Sequence, residues 1–250
     1  MPALTFRPMN RVPNFVESMR ALVAWGLTCA LAMSATLASA AIPSYEVPPE
    51  ERQARAVGSP NQGSLKNGLA LPKKGPGFRR IHAKRFYGTD ETIALMVYLG
   101  AKLHEAYPGS EPLLVGAISK KNGGKAGTHL SHQNGIDVDW AYLEVENPKR
   151  RYYNSKVRAD QLDYEKNWFI FETALLTGRI QSIFIDKGML KPLYQAAKNA
   201  GWTEAALKPI FGNASFKGAR RIIRHWPGHT YHAHVRLKCS RGDSACRDGH

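Results

Sequence analysis

Two short segments decide what this chain can fold into. Gly135–Leu143, "GIDVDWAYL", and Tyr231–Leu237, "YHAHVRL", alternate in polarity as β-strands do. Side chains two apart on a strand share a face and lie ~6.6–6.8 Å apart along the backbone. Asp137 and Asp139 therefore point one way, while Ile136, Val138 and Trp140 point the other and supply core. His232, His234 and Arg236 share a face by the same rule. A sheet built from such strands has one apolar face and one face dense in ionisable groups.

The remaining pattern mixes helices with strands. Asp90–Ala106 reads as a helix, capped by Thr89 or Asp90, with Ile93, Met96, Val97 and Leu103 at helical spacing and Pro108-Gly109 as the stop. Pro112–Ser119 reads as a buried strand and "KKNGGKAG" as a glycine-rich loop. A long helix is expected over about 159–177, then a strand at Ile180–Ile185, then a helix in "MLKPLYQAAKNAG" ended by Gly201. There is no regular βαβ rhythm. The expected class is α+β, a single domain with a central, mainly antiparallel sheet flanked by helices.

That domain is expected over residues 64–250, a length that suits one core. Residues 41–63, rich in proline and charge and without a period, read as an extended leader with no core of its own. Upstream, Ala21–Leu37 is an uncharged, largely apolar run preceded by Arg7, Arg11 and Arg20 and followed by Ala38-Ser39-Ala40. This is the layout of a cleaved export signal over residues 1–40. Gly26, Thr28, Ser34 and Thr36 interrupt the run, unlike the ~20 strongly apolar residues of a membrane anchor. The region before the run is long, so Met19 is a second candidate start.

Loss of residues 1–40 takes away three arginines and Glu17, lowering the formal charge from +15 to +13. Such a balance speaks of partners rather than fold. Nucleic acid is one physical partner, and for an exported protein an acidic cell-surface polymer is another. Of the three cysteines, Cys29 leaves with the signal, and Cys239 and Cys246 remain for an oxidising compartment. They are expected as a disulfide, worth about 2–3 kcal/mol by restriction of the unfolded chain. The spacing in "CSRGDSAC" is wider than the two to four residues between paired zinc-binding cysteines.

Histidines gather in two windows about a hundred residues apart, His129 and His132 in "THLSHQNGIDVD" and His229, His232 and His234 in "GHTYHAHVRLKC". A catalytic Zn²⁺ takes three protein ligands and one water, and lowers the pKa of that water from ~15.7 to ~7. One histidine from each window plus one aspartate completes such a set, and a remaining imidazole can carry the proton. Spacing alone does not separate Asp137 from Asp139, or His232 from His234. No HExxH occurs, so the ligands come from loops and strands rather than from one helix.

"SHQNGIDVD" together with "HAHVRLKC" resembles the penicillin-insensitive murein endopeptidases. These belong to a wider group of zinc peptidases with the D-Ala-D-Ala dipeptidases and carboxypeptidases, lysostaphin-type enzymes and the hedgehog domain. Ser131, His132, Gly135, Asp139, His232 and His234 fill that group's pattern. The resemblance extends through "SLKNGLALPKKGPGFRR", "GRIQSIFID", His229 and the Cys239–Cys246 pair, and so covers essentially the whole mature domain. It departs in cysteines: better-known members carry additional pairs, and this chain keeps one.

The resemblance implies one Zn²⁺ per chain, held on the central sheet by His132, Asp139 and His234, with His232 as general base. It implies His129, His229 and Asp137 as groups around the ligands or at the developing oxyanion. The reaction implied is hydrolysis of peptidoglycan cross-links of the D-alanyl–diaminopimelate type in the periplasm, with no nucleic acid as partner and no stable membrane anchor once the signal is cleaved. Arg236, Lys120, Lys121 and Lys125 are candidates to hold the free carboxylates of that substrate. Two further readings are a non-catalytic wall-binding module of the same fold and an exported metal-dependent nuclease.

Overall fold

The computed structural model describes residues 50–125, 127, 129–145, 158–213, 216 and 221–248. The export signal expected over 1–40 and the start of the expected leader lie outside the described residues. Strands β1 (Arg55–Ser59) and β2 (Gln62–Lys66) form an antiparallel hairpin with Ser59 opposite Gln62. For the described part of the expected leader, residues 50–63, the expectation of a segment with no core of its own is corrected. Ala54 and Ala56 are 2% and 1% exposed, and the turn is tied down by Gln133, whose backbone N–H donates to Pro60 O and whose side chain donates to Asn61 O. The hairpin escapes a periodicity search because it buries small side chains and is held largely by backbone groups.

Short strands follow: β3 (Leu69–Ala70), β4 (Lys74–Gly75), β5 (Phe78–Arg80) and β6 (Tyr87–Gly88). Helix α1 (Asp90–Ala106) starts where the sequence predicts. Thr89 accepts from Thr92 N, and Asp90 and Glu91 place negative charge in the first turn, at the positive end of the helix dipole. Then come β7 (Leu113–Val115), β8 (Asp137–Ala141), α2 (Tyr164–Leu176), β9 (Ile180–Ile185), α3 (Lys187–Asn199), α4 (Glu204–Phe211), β10 (Ile223–His225) and β11 (His232–Leu237). Helix α2 begins at Tyr164 rather than near Ala159, because Asp163 caps it by accepting from Lys166 N and leaves Ala159–Gln161 as a separate 3-10 turn. No described helix is long and apolar enough to cross a membrane.

Seven strands form the central sheet in the order β10-β9-β11-β8-β7-β5-β4. Two pairings, β10 with β9 and β5 with β7, are parallel and the rest are antiparallel. The fold is α+β with the mainly antiparallel sheet that the sequence predicts. Val138, Trp140, Ala233, Val235, Ile183 and Ile185 are buried on the face that meets the helices, where Trp140 lies 6.0 Å from Phe171 between ring centres. Full burial of each large side chain contributes roughly 1.5–3 kcal/mol. The alternate residues of β8, β9 and β11 are thereby directed to the opposite face.

Candidate active site

Register places the ionisable face. In the β8–β11 pair Asp139 stands opposite His234 and Asp137 opposite Arg236, the separation at which cross-strand side chains interact. A slip of either strand by one residue would turn its own pair of these residues toward the helices. His132 arrives from the preceding loop with φ +66 and is 1% exposed. Three contacts hold it there: its N–H donates to Asp137 Oδ2 at 3.2 Å, its Nδ1 donates to Ile118 O at 2.9 Å, and its Nε2 lies 3.2 Å from Asp139 Oδ2. Gly135 completes the loop at φ +83, a conformation that costs glycine little. Its carbonyl accepts from Thr89 N and Thr92 Oγ1, and a Cβ there would meet Leu65 at 2.9 Å.

With neutral imidazoles the donors and acceptors do not balance. Because Nδ1 of His132 donates to a carbonyl, Nε2 of the neutral ring is an acceptor, and it faces a carboxylate oxygen that also only accepts. His234 has a carboxylate on both sides, with Nδ1 3.1 Å from Asp139 Oδ1 and Nε2 3.3 Å from Asp137 Oδ2. A neutral ring satisfies only one of them. Asp139 Oδ1 is buried with no hydrogen-bond partner among the described residues. Acceptors aimed at acceptors require either extra protons or one shared metal ion, and two imidazole nitrogens with a carboxylate are a donor set that suits Zn²⁺. Ligand atoms of His129, His132 and Asp139 also lie within 4.8 Å of one another. The rings of His132 and His234 are 4.6 Å apart, so four groups crowd one point.

The electrostatics follow the geometry. Burial works to raise Asp139, but His132 and His234 outweigh it and hold the carboxyl well below the usual range. Burial also opposes ionisation of Asp137, which His234 and Arg236 override. For His234 burial disfavours charge, yet Asp137 and Asp139 prevail and raise it to about 9. His232 goes the other way: burial pushes it down to about 4 against the pull of Asp139. Burial lowers His129 and His229 as well.

His232 lies farther out, with Nε2 3.9 Å from Asp139 Oδ1. His229 stands at its side, ring centres 5.0 Å apart, held by Nδ1 donating to Trp226 O and Pro227 O. Arg236 is corrected by the structure as a candidate for substrate carboxylates. It is 5% exposed and its guanidinium is committed to Asp137, Nε to Oδ1 at 2.8 Å and Nη2 to Oδ2 at 3.0 Å. Lys120, Lys121 and Lys125 are exposed, and Lys120 donates to Lys125 O.

Sequence reasoning missed several neighbours. His82 and Arg85 come from the loop after β5, Arg85 Nε donating to His82 Nε2 at 3.0 Å, and Arg85 adds to the lowering of His129. Their only signal is a basic run, "RRIHAKRF", with no period. Phe184 from β9 lies 5.4 Å from His234 between ring centres, in a strand that reads as uniformly apolar. Tyr142 donates to His229 O at 2.8 Å and accepts from Asp186 N.

The chain is similar to known proteins over this whole region. It is 29% identical over 219 residues to the penicillin-insensitive murein endopeptidase of Haemophilus influenzae, covering 81% of this chain and 70% of that protein. It is 26% identical over 214 residues to the protein of that name from Klebsiella pneumoniae subsp. pneumoniae, covering 78% and 70%. With that of Pectobacterium atrosepticum it shares 25% identity over 244 residues, covering 88% and 79%. The sequence model of the penicillin-insensitive murein endopeptidase family matches residues 56–250, and the chain belongs to that family.

Proposed function

We propose that this protein is a zinc-dependent endopeptidase that hydrolyses peptide cross-links of peptidoglycan, of the D-alanyl–diaminopimelate type, in the periplasm. The observation that supports this reading is the convergence of His132 Nε2, His234 Nδ1 and Asp139, which with neutral rings sets acceptor against acceptor and suits one shared cation. Those three residues would hold Zn²⁺. Zn²⁺ held there would supply a water whose pKa is lowered toward ~7 and a Lewis acid for the amide carbonyl.

The chain's own groups do the rest. His232, neutral above about pH 4, takes the proton from the attacking water and delivers it to the departing amine. His129 stands beside the ligands as a donor for negative charge developing on the carbonyl oxygen, while His229, whose Nδ1 is spent on Trp226 O and Pro227 O, keeps Nε2 as an acceptor and packs beside His232. Asp137 receives the outer nitrogen of His234 and fixes its ring. No side chain is acylated, which accords with the penicillin insensitivity in the family's name.

Export through residues 1–40 is part of the proposal. The Cys239–Cys246 disulfide supports it, since such bonds persist in oxidising compartments. The test is incubation of zinc-loaded protein with isolated sacculi and, alongside, with plasmid DNA. Released muropeptides of cleaved cross-links, lost on chelation and restored by zinc, are expected. Cleavage of DNA alone, or full activity in chelator, would overturn the reading.

A further inference from the structure

A row of side chains runs sideways out of the site. Asp139 on β8 pairs with His234 on β11, His234 with Phe184 on β9, and Phe184 with Arg224 on β10. All four therefore share the ionisable face of the sheet. With neighbouring strands ~4.8 Å apart, Arg224 stands about two strand spacings, roughly 10 Å, from His234. Its guanidinium lies over the Phe184 ring, 4.8 Å from the centroid. Trp226, 57% exposed, packs edge-on against the same ring at 5.7 Å. Arg224, Trp226 and His229 thus gather around Phe184, beside the candidate metal ligands.

The charge around Phe184 is unbalanced. Arg236 answers to Asp137, but among the described residues no carboxylate faces Arg224 or Arg221, and Arg224 Nε and Arg221 Nη1 are buried without a hydrogen-bond partner. Arg224 is weakened as a cation by burial and by the nearby Arg236 and Arg221. Half-buried arginines crowd one another in this way at a cost that an incoming anion removes. A planar guanidinium stacked on an aromatic ring is oriented in advance for bidentate recognition of a carboxylate.

We infer that Arg224, seated on Phe184 and backed by Arg221, anchors a free carboxylate of the peptide substrate next to the amide being cut. The role passes to Arg224 from Arg236, which the fold uses internally. It rests on the peptidase reading above, since it supplies the specificity of that same site. The neighbouring Trp226 offers an apolar wall for the aliphatic part of the residue that bears the carboxylate.

The experiment compares two cross-linked muropeptide dimers, identical except that the carboxylate beside the cross-link is free in one and amidated in the other. Binding is measured calorimetrically to zinc-loaded full-length His232→Ala protein, which holds substrate without turning it over. The free acid is expected to bind about 10–100-fold more tightly, the effect of one charge-assisted hydrogen-bonded pair. Adding Arg224→Ala or Arg224→Gln should abolish most of that preference, and Arg224→Lys should restore part of it, with zinc content and thermal midpoint unchanged. Equal binding of the two dimers to the parent, or an undiminished preference in the Arg224→Ala and Arg224→Gln proteins, overturns the inference. Turnover separates the two readings: wild-type protein that cleaves neither dimer defeats the peptidase proposal, while the binding comparison still decides the role of Arg224.

Discussion

Arg236 closes on Asp137 with two parallel donors, at 2.8 and 3.0 Å, while the same carboxylate lies 3.3 Å from Nε2 of His234. In the neutral ring Asp137 thus takes the proton of Nε2, which frees Nδ1 as a lone pair once the second proton has left. This is the tautomer a metal ligand needs, and partners of this kind set ligand orientation and basicity. Asp137→Asn is therefore expected to weaken zinc binding about 10–100-fold, read by competition with a chromogenic chelator, with the far-ultraviolet spectrum unchanged. Arg236→Ala leaves a buried carboxylate without its counter-charge. It should cost about 3–5 kcal/mol in denaturant unfolding. Wild-type zinc affinity in the Asp137→Asn protein would show that His234 is oriented by something else.

What the sequence made legible follows the physics of its signals. Alternation in "GIDVDWAYL" and "YHAHVRL" specified which side chains share a face, because period two is a property of the strand itself. Capping of α1 by Thr89 was equally local. The pairing of Asp139 with His234 and of Arg224 with Phe184 was not legible, since register between strands far apart in the chain leaves no trace in either segment. For the same reason Arg236 reads as a free cation until β8 lies beside it. The hairpin at 55–66 stayed hidden because alanines and backbone groups, rather than large apolar residues, secure it.

His232 and His234 are two residues apart but differ in role, and single substitutions should separate them. His232 Nε2 is 3.9 Å from Asp139, against 3.1 Å for His234 Nδ1 and 3.2 Å for His132 Nε2. His232→Ala is expected to retain zinc while kcat on cross-linked muropeptides falls about 10²–10⁴-fold, the usual worth of a positioned proton carrier. His234→Ala is expected to lose the metal itself. Elemental analysis of both proteins decides. A His232→Ala protein without metal would make His232 a ligand instead.

The histidine shifts give the metal-free protein a stability that peaks near neutrality. His232 titrates at about 4 in the fold, below its ordinary 6.5. Between these values the unfolded chain binds more protons, so stability falls as pH drops from 6.5 toward 4. His234 is raised from 6.5 to about 9. Its contribution is full below 6.5 and is lost as pH rises toward 9. Thermal midpoints of chelator-treated protein should therefore decline on both sides of about pH 6.5. Zinc requires the neutral ring, so it must expel the His234 proton at pH 7, and its apparent affinity should rise about tenfold per unit up to pH 9. Calorimetry in buffers of different ionisation enthalpy measures that proton release, and none at pH 7 would sink the argument.

The Cys239–Cys246 disulfide reaches further than the short loop it closes. Ala245 O accepts from Gly58 N at 2.8 Å and Arg247 N donates to Gly58 O at 3.0 Å, so the C-terminal loop grips the β1–β2 hairpin. Gly58 O also accepts from Asn134 Nδ2 at 3.0 Å, two residues beyond His132. Replacing both cysteines with serine should lower stability by about 2–3 kcal/mol, the value for so short a loop. Hydrogen exchange should quicken at Gly58 and Arg247, whose bonds run between hairpin and loop, while Val138 and Val235 in the central strands keep their protection. Unchanged exchange at Gly58 would mean that the hairpin is secured by Gln133 and the buried alanines alone, and that the disulfide confines its effect to residues 239–246.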